Sequence, residues 1–340
     1  MKAVVFYGPG DLRFEEVPVP TPKPGEVLIR VDAALTCGTD VKTYRRGHPV
    51  MIPVIPTIFG HELAGTVIDT GPGVEGVREG DRVVAANSAP CGACFYCQRG
   101  RPNLCEDLFF FNGAFAEYAL IPPRVTALNL VKIADSLPAR RAAFAEPLAC
   151  AIQALSLVEI QAGDQVVIFG HGPLGQLLGL LALHRGGRVL LIGKPSPRLE
   201  RARAHGFDCL DGSSPPDVVA AIRDRVGGRG ADITIDATGR PEVWEQAVAS
   251  TRGGGTTLFF AGCAPGTEVR LDTRRIHYEE LKLQGAFHHT PTSIRAALRL
   301  LDSGAINPEF LLTHEMRLKE VPEALELMAR GLALKVLIQP

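Results

Sequence analysis

The feature that most constrains the fold is a glycine-rich turn between a strand pattern and a helix pattern. The stretch QVVIFGHGPLG at residues 165–175 runs from β-branched residues through G-x-G-x-x-G into a helical sequence. The first glycine permits a tight turn, the second lets the backbone approach a pyrophosphate, and the third lets helix and strand pack closely. Inside a β-α-β unit this motif predicts a dinucleotide site; the alternative is an ordinary turn of an α/β domain. The expected cofactor contacts are Gly170, Gly172, Pro173, Leu174 and Gly175.

The pattern of strand-like and helical segments changes near residue 150. Before it, short β-branched runs such as EVLIRV and GTVIDT lie between Gly and Pro residues, which is typical of a β-rich, loop-heavy domain. After it, strands such as RVLLIG and ADITID alternate with helical stretches, which predicts a parallel sheet with helices on both faces. A chain of 340 residues therefore suggests two domains in an α/β fold.

Charge and targeting signals exclude several classes of partner. The 36 basic and 37 acidic residues nearly cancel, so nothing draws the molecule to nucleic acid or to an anionic membrane. The N-terminal sequence MKAVVFYGPG is neither a secretory signal nor a membrane span, so we expect a cytoplasmic protein. Because the cytosol keeps thiols reduced, its eight cysteines indicate metal binding or packing instead of disulfides.

Four of those cysteines have metal-ligand spacing. Cys91, Cys94, Cys97 and Cys105 form the pattern C-x2-C-x2-C-x7-C, which can place four thiolates around one tetrahedral ion. Zinc is the expected ion, and a closed shell of four thiolates makes the site structural. An iron–sulfur cluster also takes four thiolates, but its bacterial motif has a different last spacing and a Pro after the final Cys, where this chain has Glu106.

A second metal site is predicted from scattered residues. Cys37, His61, Glu62 and Glu146 each lie beside Gly or apolar residues, and each alone is more often a packing residue or a satisfied core group. Together they offer a thiolate, an imidazole and carboxylates with room for another ligand. That composition is typical of an open, catalytic zinc site.

The residues that follow the second strand of the nucleotide fold indicate whether the cofactor is NAD or NADP. NAD-binding sites place an acidic residue about 20 positions beyond the glycines, to accept hydrogen bonds from the ribose. Here that position is Lys194, and no carboxylate appears from Arg188 through Leu199. A basic loop with Lys194, Ser196 and Arg198 favours NADP over NAD, because it suits a 2′-phosphate. The alternative is that these are solvated loop charges.

These motifs, in this order, make the sequence similar to the zinc-dependent medium-chain dehydrogenases, and among them to the sorbitol (polyol) and threonine dehydrogenase branch. The resemblance spans essentially the whole chain. The matching segments are Cys-Gly-Thr-Asp at 37–40, Gly-His-Glu at 60–62, Gly-Asp-Arg-Val at 80–83, the four cysteines, Gly-Ala-Phe-Ala-Glu-Tyr at 113–118, Glu-Pro-Leu-Ala-Cys at 146–150 and the glycine turn. Glu146 stands where many simple alcohol dehydrogenases carry Cys, which favours the polyol-like branch.

The resemblance implies a GroES-like, β-rich catalytic domain formed by residues 1–148 and 288–340, with a structural zinc lobe at about 88–108. It implies a Rossmann domain over 149–287 and assembly as a homodimer or homotetramer. It also implies one structural and one catalytic zinc per chain, the latter held by Cys37 and His61 with Glu62 and Glu146 in or next to the shell. The implied activity interconverts a small-molecule secondary alcohol and its ketone, with NAD(P) exchanging hydride and zinc polarising the substrate oxygen.

Proton transfer and substrate choice are less constrained. Thr39 resembles the family's hydroxyl that carries the proton away from the alcohol. Relatives often add a histidine five residues after the ligand cysteine, but this chain has Lys42 there, and His48 is the other candidate. His288 and His289 either contact substrate hydroxyls or form a solvated or helix-capping pair. The alternative functions are a zinc-free quinone or enoyl reductase of the same superfamily and a non-enzymatic redox sensor.

Overall fold

The computed structural model describes residues 1–213 and 217–340, and the chain divides into two compact units. The first unit comprises Met1–Ala149 and His289–Pro340, and the second comprises Cys150–His288. The sequence-based boundaries differ from these by one residue at each junction. In the described part of the chain, no helix combines the length and apolar character needed to cross a membrane.

Strands and helices alternate between residues 165 and 302, whereas the earlier part of the chain contains runs of consecutive strands. In chain order the strands are β1 (Lys2–Gly8), β2 (Asp11–Glu16), β3 (Val27–Leu35), β4 (Thr57–Ile58), β5 (Glu62–Thr70), β6 (Arg82–Ala85), β7 (Ser88–Ala89), β8 (Phe109–Phe110), β9 (Tyr118–Ile121), β10 (Leu130–Lys132), β11 (Gln165–Phe169), β12 (Arg188–Gly193), β13 (Asp208–Asp211), β14 (Ala231–Asp236), β15 (Thr251–Phe259), β16 (Lys282–Gly285), β17 (Leu312–Arg317) and β18 (Lys335–Gln339). The helices are α1 (Gly38–Arg46), α2 (Phe95–Gln98), α3 (Pro123–Asn129), α4 (Ala139–Ala142), α5 (Ala145–Leu155), α6 (Pro173–His184), α7 (Pro197–Ala204), α8 (Val218–Arg225), α9 (Pro241–Ser250), α10 (Thr273–Tyr278), α11 (Pro291–Asp302) and α12 (Val321–Ala329).

The first unit is built on a seven-stranded sheet in the order β10-β6-β5-β3-β18-β17, with β9 also pairing with β3. Its β-branched and aliphatic strands bury one face in a core that includes Ile29, Leu63 and Val336. The C-terminal strand β18 runs antiparallel to β3, with Leu337 opposite Leu35. This pairing brings the last strand of the chain beside the residues that lead into Cys37.

The second unit contains a six-stranded parallel sheet in the order β13-β12-β11-β14-β15-β16. Numbered within the unit, this is the order 3-2-1-4-5-6 of a doubly wound dinucleotide fold. The central strand β11 is an unbroken apolar run from Val166 to Phe169, as expected for a strand covered by helices on both faces. The predicted fold class, a β-rich GroES-like domain with a Rossmann domain, is confirmed.

Candidate active site

Cys37 lies just beyond the end of β3 and caps helix α1. Its Sγ accepts a hydrogen bond from the backbone N–H of Thr39 at 3.4 Å, and the Asp40 carboxylate accepts one from the Cys37 N–H at 2.8 Å. This reciprocal arrangement is a capping box, with a thiol in the place that Ser or Thr usually takes. It fixes the direction of the sulfur at the start of the helix.

His61 immediately precedes β5 and is held by the same acidic residue. Its Nδ1 lies 2.9 Å from Oδ1 of Asp40, and both side chains are almost fully buried. Burial alone would lower the pKa of His61, but the charge and hydrogen bond of Asp40, together with Cys37, raise it well above its ordinary value. A carboxylate on one ring nitrogen leaves the other nitrogen directed toward a ligand position, as in metal-binding histidines.

Glu62, the first residue of β5, is completely buried and is paired with Lys335 of β18. Burial raises the pKa of Glu62 to about 7, an effect that the Lys335 ammonium opposes and that Glu146 increases. Burial alone would lower the pKa of Lys335, but the negative charge of Glu62, with Cys37 and Glu146, raises it. The ammonium therefore stays charged in the interior of the first unit.

Cys37, His61 and Glu62 are brought together as the sequence predicted. One ligand atom from each lies within 4.8 Å of the others. Glu146, in the first turn of α5, is buried and contributes to the electrostatics of Glu62, so it lies close by. A thiolate, an imidazole and a carboxylate at this separation form a donor set that suits zinc.

Glu146 has a second neighbour in His289, which lies just before helix α11. Ligand atoms of these two residues lie within 4.8 Å of each other. The Nε2 of His289 is 2.8 Å from Oδ1 of Asn87 and 3.4 Å from Oγ of Ser88. His289 is buried, so the interpretation of this residue as solvated is wrong. The helix is instead capped by Thr290, whose hydroxyl accepts from the Ser293 N–H at 3.1 Å.

The residues considered for proton transfer occupy different environments. Thr39 is half-buried in the first turn of α1, whereas Lys42 is exposed on the same helix. His48 is half-buried and accepts a hydrogen bond at Nδ1 from the Met51 N–H at 3.2 Å. Burial lowers the pKa of His48, and the nearby charges of Arg46, His61 and Lys42 lower it further. A neutral imidazole close to His61 is thus better suited to accept a proton than an exposed ammonium is.

The four-cysteine cluster has the dimensions of a zinc site. The sulfurs of Cys91, Cys94, Cys97 and Cys105 lie within 4.8 Å of one another, and those of Cys94 and Cys105 are 3.8 Å apart. Zn–S bonds of about 2.3 Å in a tetrahedron place sulfurs about 3.8 Å apart. Backbone N–H groups of Cys97 and Glu106 lower the pKa of Cys94 to about 6, which favours the thiolate that zinc binds.

The glycine turn joins β11 to α6 as predicted. Gly170 has φ of +119°, and a Cβ added to Gly175 would lie 1.9 Å from the carbonyl oxygen of Gly170, so the close approach of helix to turn requires glycine there. Pro173 occupies the first turn of α6 and leaves the N-terminal N–H groups of the helix directed at the turn. This geometry suits a pyrophosphate.

A cavity of about 300 Å³ opens beside this turn at the carboxyl ends of the strands. Lys194 and His171 line it, and the other two residues predicted to bind a 2′-phosphate lie beside His171. Ser196 caps α7, and its Oγ lies 2.8 Å from Nε2 of His171. Burial lowers the pKa of His171, and the nearby charge of Arg198 lowers it further. The cavity also contains an ion pair that the sequence did not indicate, between Arg240 and Glu242.

Family models match both units. Residues 23–134 match the alcohol dehydrogenase GroES-like domain, and residues 173–303 match the zinc-binding dehydrogenase domain. The chain is 34% identical to erythritol/L-threitol dehydrogenase of Mycolicibacterium smegmatis, covering 97% of this chain and 95% of that protein. It is 32% identical to sorbitol dehydrogenase of Halalkalibacterium halodurans (100% and 99% covered) and 35% identical to L-threonine 3-dehydrogenase of Pyrococcus horikoshii (99% and 97%).

Solved structures give the same correspondence. A structure from Sinorhizobium meliloti, described as a zinc-binding dehydrogenase bound to NADP, superposes with a TM-score of 0.92 at 32% identity, covering 100% of this chain and 99% of that one. The 2R,3R-butanediol dehydrogenase of Bacillus subtilis gives a TM-score of 0.89 at 29% identity with the same coverage. The similarity therefore extends over both units.

Proposed function

The chain belongs to the zinc-binding dehydrogenase family, in the branch of polyol and threonine dehydrogenases, and we propose that it oxidises vicinally substituted secondary alcohols and reduces the matching ketones. The observation that carries this proposal is the buried group of Cys37, His61 and Glu62, whose ligand atoms lie within 4.8 Å of one another. A zinc-free reductase would have no physical need for this donor set.

What the named relatives' substrates share supports the proposed substrate class. Erythritol, sorbitol, threonine and 2,3-butanediol each carry a second polar group, a hydroxyl or an amine, on the carbon next to a secondary alcohol. A site that binds this second group discriminates strongly against alcohols that lack it, because its own polar groups would otherwise be buried without partners. We therefore assign a vicinal diol or amino alcohol as substrate.

We assign the catalytic zinc to Cys37 and His61, with a carboxylate from Glu62 or Glu146, and the structural zinc to the four-cysteine cluster. Zinc in the open site supplies a Lewis acid for the substrate oxygen. The protein's own part is to orient the imidazole through Asp40, to fix the sulfur through the cap of α1, and to exclude water by burial.

Proton transfer is assigned to Thr39 and His48. The Thr39 hydroxyl accepts the alcohol proton as the substrate is oxidised and passes it outward, and it returns a proton in the reverse direction. His48 is half-buried, and its Nδ1 accepts from the Met51 N–H, so the neutral ring carries its proton on Nε2. It relays a proton by taking one up at Nδ1, in place of the Met51 contact, and giving the Nε2 proton to solvent. Lys42 has no comparable role because its side chain is exposed.

We assign NADP as the preferred cofactor, with its pyrophosphate at the turn from Gly170 to Gly175. Lys194 directly follows β12, at the position where NAD enzymes place a carboxylate, and it lines the neighbouring cavity. Glu242, the carboxylate in that cavity, is paired with Arg240. The NADP bound to the Sinorhizobium meliloti relative supports this choice.

One edge of the parallel sheet offers a surface for assembly. Strand β16 lies at one edge of the parallel sheet, and an edge strand can pair with its copy in a second chain, which would give a homodimer or a homotetramer. None of the eight cysteines is in a disulfide, which suits a reducing compartment, so we assign the protein to the cytoplasm.

The experiment is a matched pair of substrates with each cofactor. Purified protein is assayed with 2,3-butanediol and with 2-butanol, which differ by one hydroxyl, using NADP⁺ and NAD⁺ in parallel. We expect kcat/KM for the diol to exceed that for 2-butanol by about tenfold or more, with NADP⁺ the better oxidant. Equal or better turnover of 2-butanol would contradict the substrate class, and a clear preference for NAD⁺ would contradict the cofactor.

A further inference from the structure

His171 lies inside the glycine turn, between Gly170 and Gly172, and its side chain reaches the end of the second strand of the parallel sheet. A Cβ added to Gly193, the last residue of β12, would lie 2.1 Å from Nδ1 of the ring, so the imidazole packs directly on the backbone there. The ring also lines the cavity beside the turn, together with Lys194. The imidazole therefore borders both the turn proposed for the pyrophosphate and the residues proposed for a 2′-phosphate.

The ring contacts Ser196 at the start of α7. Nε2 of His171 lies 2.8 Å from Oγ of Ser196, and the same Oγ accepts a hydrogen bond from the Leu199 N–H at 3.3 Å. A hydroxyl has one proton to donate and two lone pairs that accept. Because the Leu199 N–H uses one lone pair, the protonation of the imidazole decides where the hydroxyl proton goes.

In its bond with this hydroxyl, the imidazole either accepts or donates. A neutral ring with its lone pair on Nε2 takes the hydroxyl proton, and Ser196 then has no donor for an anion. A neutral ring with its proton on Nε2 donates to Oγ but adds no charge. A protonated ring also donates from Nε2, because both of its nitrogens carry hydrogen, and it leaves the hydroxyl proton free for a phosphate oxygen. Protonation of His171 thus supplies a positive charge and a donor at Ser196 together.

The surroundings of the ring favour an anion. Burial lowers the pKa of His171, and the nearby charge of Arg198 lowers it further. Lys194, Arg240 and Glu242 line the same cavity, where Arg240 and Glu242 form an ion pair. The remaining positive charge disfavours an imidazolium before the cofactor binds. A phosphate dianion placed there would offset this charge and raise the pKa of the ring again.

We propose that His171 is a positioning residue for the 2′-phosphate of NADP: on cofactor binding the ring takes up a proton from solvent, donates from Nε2 to Ser196, and leaves the Ser196 hydroxyl to donate to the phosphate. NADP binding therefore consumes a proton and strengthens as the pH falls. NAD has a hydroxyl in place of this phosphate and gains nothing from a protonated ring. This inference rests on the proposed NADP site and adds a pH dependence to it.

The direction of the pH dependence follows from the two states of the ring. In the free protein the pKa of His171 lies below its ordinary value of 6.5, whereas a bound phosphate raises it. The affinity for a 2′-phosphate therefore increases as the pH falls through the higher pKa of the complex, and it stops increasing below the lower pKa of the free protein. The ring contributes fully at the acid end of this range and nothing at the alkaline end.

The test compares full-length wild type with His171→Gln, because Gln is a polar side chain of similar size that cannot be protonated. The probes are adenosine 2′,5′-bisphosphate, which carries the 2′-phosphate, and adenosine 5′-monophosphate, which lacks it. Calorimetry gives the dissociation constants from about pH 6 to about pH 8.5, the range in which a histidine titrates. The titration of the free probe is the same for both proteins and cancels in their ratio. His205→Gln, which removes an exposed histidine at the other end of α7, is the matched control and should bind as wild type does.

We expect the bisphosphate to bind wild type about tenfold more tightly than His171→Gln near the acid end of the range, the size of one charge-assisted contact, and equally tightly at the alkaline end. The monophosphate should bind both proteins equally throughout, which also reports that the turn is intact. A ratio that does not change with pH would overturn the proposal, because a purely structural role for the ring would act at every pH. Equal losses for both probes would overturn it as well.

Proton uptake by wild type provides a second measurement that needs no variant. At about pH 7 the phosphates of the probes are mostly ionised, since their second pKa is about 6. Calorimetry in two buffers of different ionisation enthalpy should then show proton uptake with the bisphosphate and none with the monophosphate. If wild type binds the bisphosphate no more tightly than the monophosphate at any pH, the NADP site itself is wrong. If it prefers the bisphosphate but takes up no proton, the site stands and the role of His171 is wrong.

Discussion

The Asp40 carboxylate binds both of the first two candidate zinc ligands: Oδ1 lies 2.9 Å from Nδ1 of His61, and Oδ2 accepts a hydrogen bond from the Cys37 N–H at 2.8 Å. Asp40 is itself buried at the start of α1. One side chain thereby fixes the ring orientation of the histidine and the backbone that carries the cysteine. Such outer partners orient metal ligands and raise their basicity.

Replacing Asp40 by Asn should weaken zinc binding at this site. The amide keeps the shape of the carboxylate but removes the charge that orients and polarises His61, and losses of about 10–100-fold in metal affinity are typical of such changes. The measurement is zinc retained during titration with a chelator. Asp32→Asn, a carboxylate on β3 bonded to Arg30 and Thr66, should retain zinc like wild type. Equal retention in Asp40→Asn would show that the pair does not support the metal.

Replacing Thr39 by Val should remove the proton acceptor while preserving the helix cap. The cap uses the backbone N–H of Thr39, which Val retains. We expect kcat to fall by about 100-fold, in the range usual for loss of a positioned proton-transfer group. Steady-state kinetics measures this, with Thr43→Val, a buried threonine on the same helix, as the comparison. Full turnover in Thr39→Val would remove Thr39 from the proton path.

Replacing Lys194 by Ala should reduce the preference for NADP. The ammonium lines the cofactor cavity, and loss of one charge-assisted contact to a phosphate is worth about 1.5 kcal/mol, or about tenfold. KM for NADP⁺ should rise by this factor while KM for NAD⁺ changes little. Lys282→Ala, which removes an exposed lysine from β16, is the control. An equal rise in KM for both cofactors would mean that Lys194 does not bind the 2′-phosphate.

Ionisation of the Cys209 thiol should make the free energy of unfolding depend on pH. Burial raises the pKa of this thiol to about 11, from an ordinary value of 9.0. The unfolded chain therefore loses this proton first as the pH rises, so the free energy of unfolding falls between about pH 9 and pH 11. Cys209→Ser stays neutral throughout and should show a smaller fall. Urea unfolding of both proteins across this pH range measures the difference. An equal fall in the free energy of unfolding for both proteins would contradict the raised pKa of Cys209.

Much of the fold was predictable because its signals are local. The glycine turn, the alternation of strands with helices after residue 150 and the cysteine spacing all lie within short windows of sequence. The candidate ligands Cys37, His61 and Glu62 were identified from their motifs, and the fold brings them together.

The residues that support these ligands were harder to find. Lys335 is 273 positions from Glu62 in the sequence. It is an isolated charge in the apolar segment ALKVLI, and this apolar setting was the only sign in the sequence that the lysine is buried. Asp40 was visible in the matched motif, but its bond to His61 depends on how the start of α1 meets the start of β5. Arg240 and Glu242 line the cavity beside the glycine turn because β14 adjoins β11. Each case depends on tertiary pairing, which periodicity does not encode.

The central claim, that the site of Cys37 and His61 holds a zinc ion required for turnover, is tested most directly by zinc content and activity in three proteins. Wild type should contain two zinc ions per chain and oxidise its alcohol. Cys37→Ala should contain one and show no turnover, and Cys105→Ser should lose the other ion and unfold at a lower temperature. Undiminished turnover by Cys37→Ala, with its zinc content unchanged, would contradict the account.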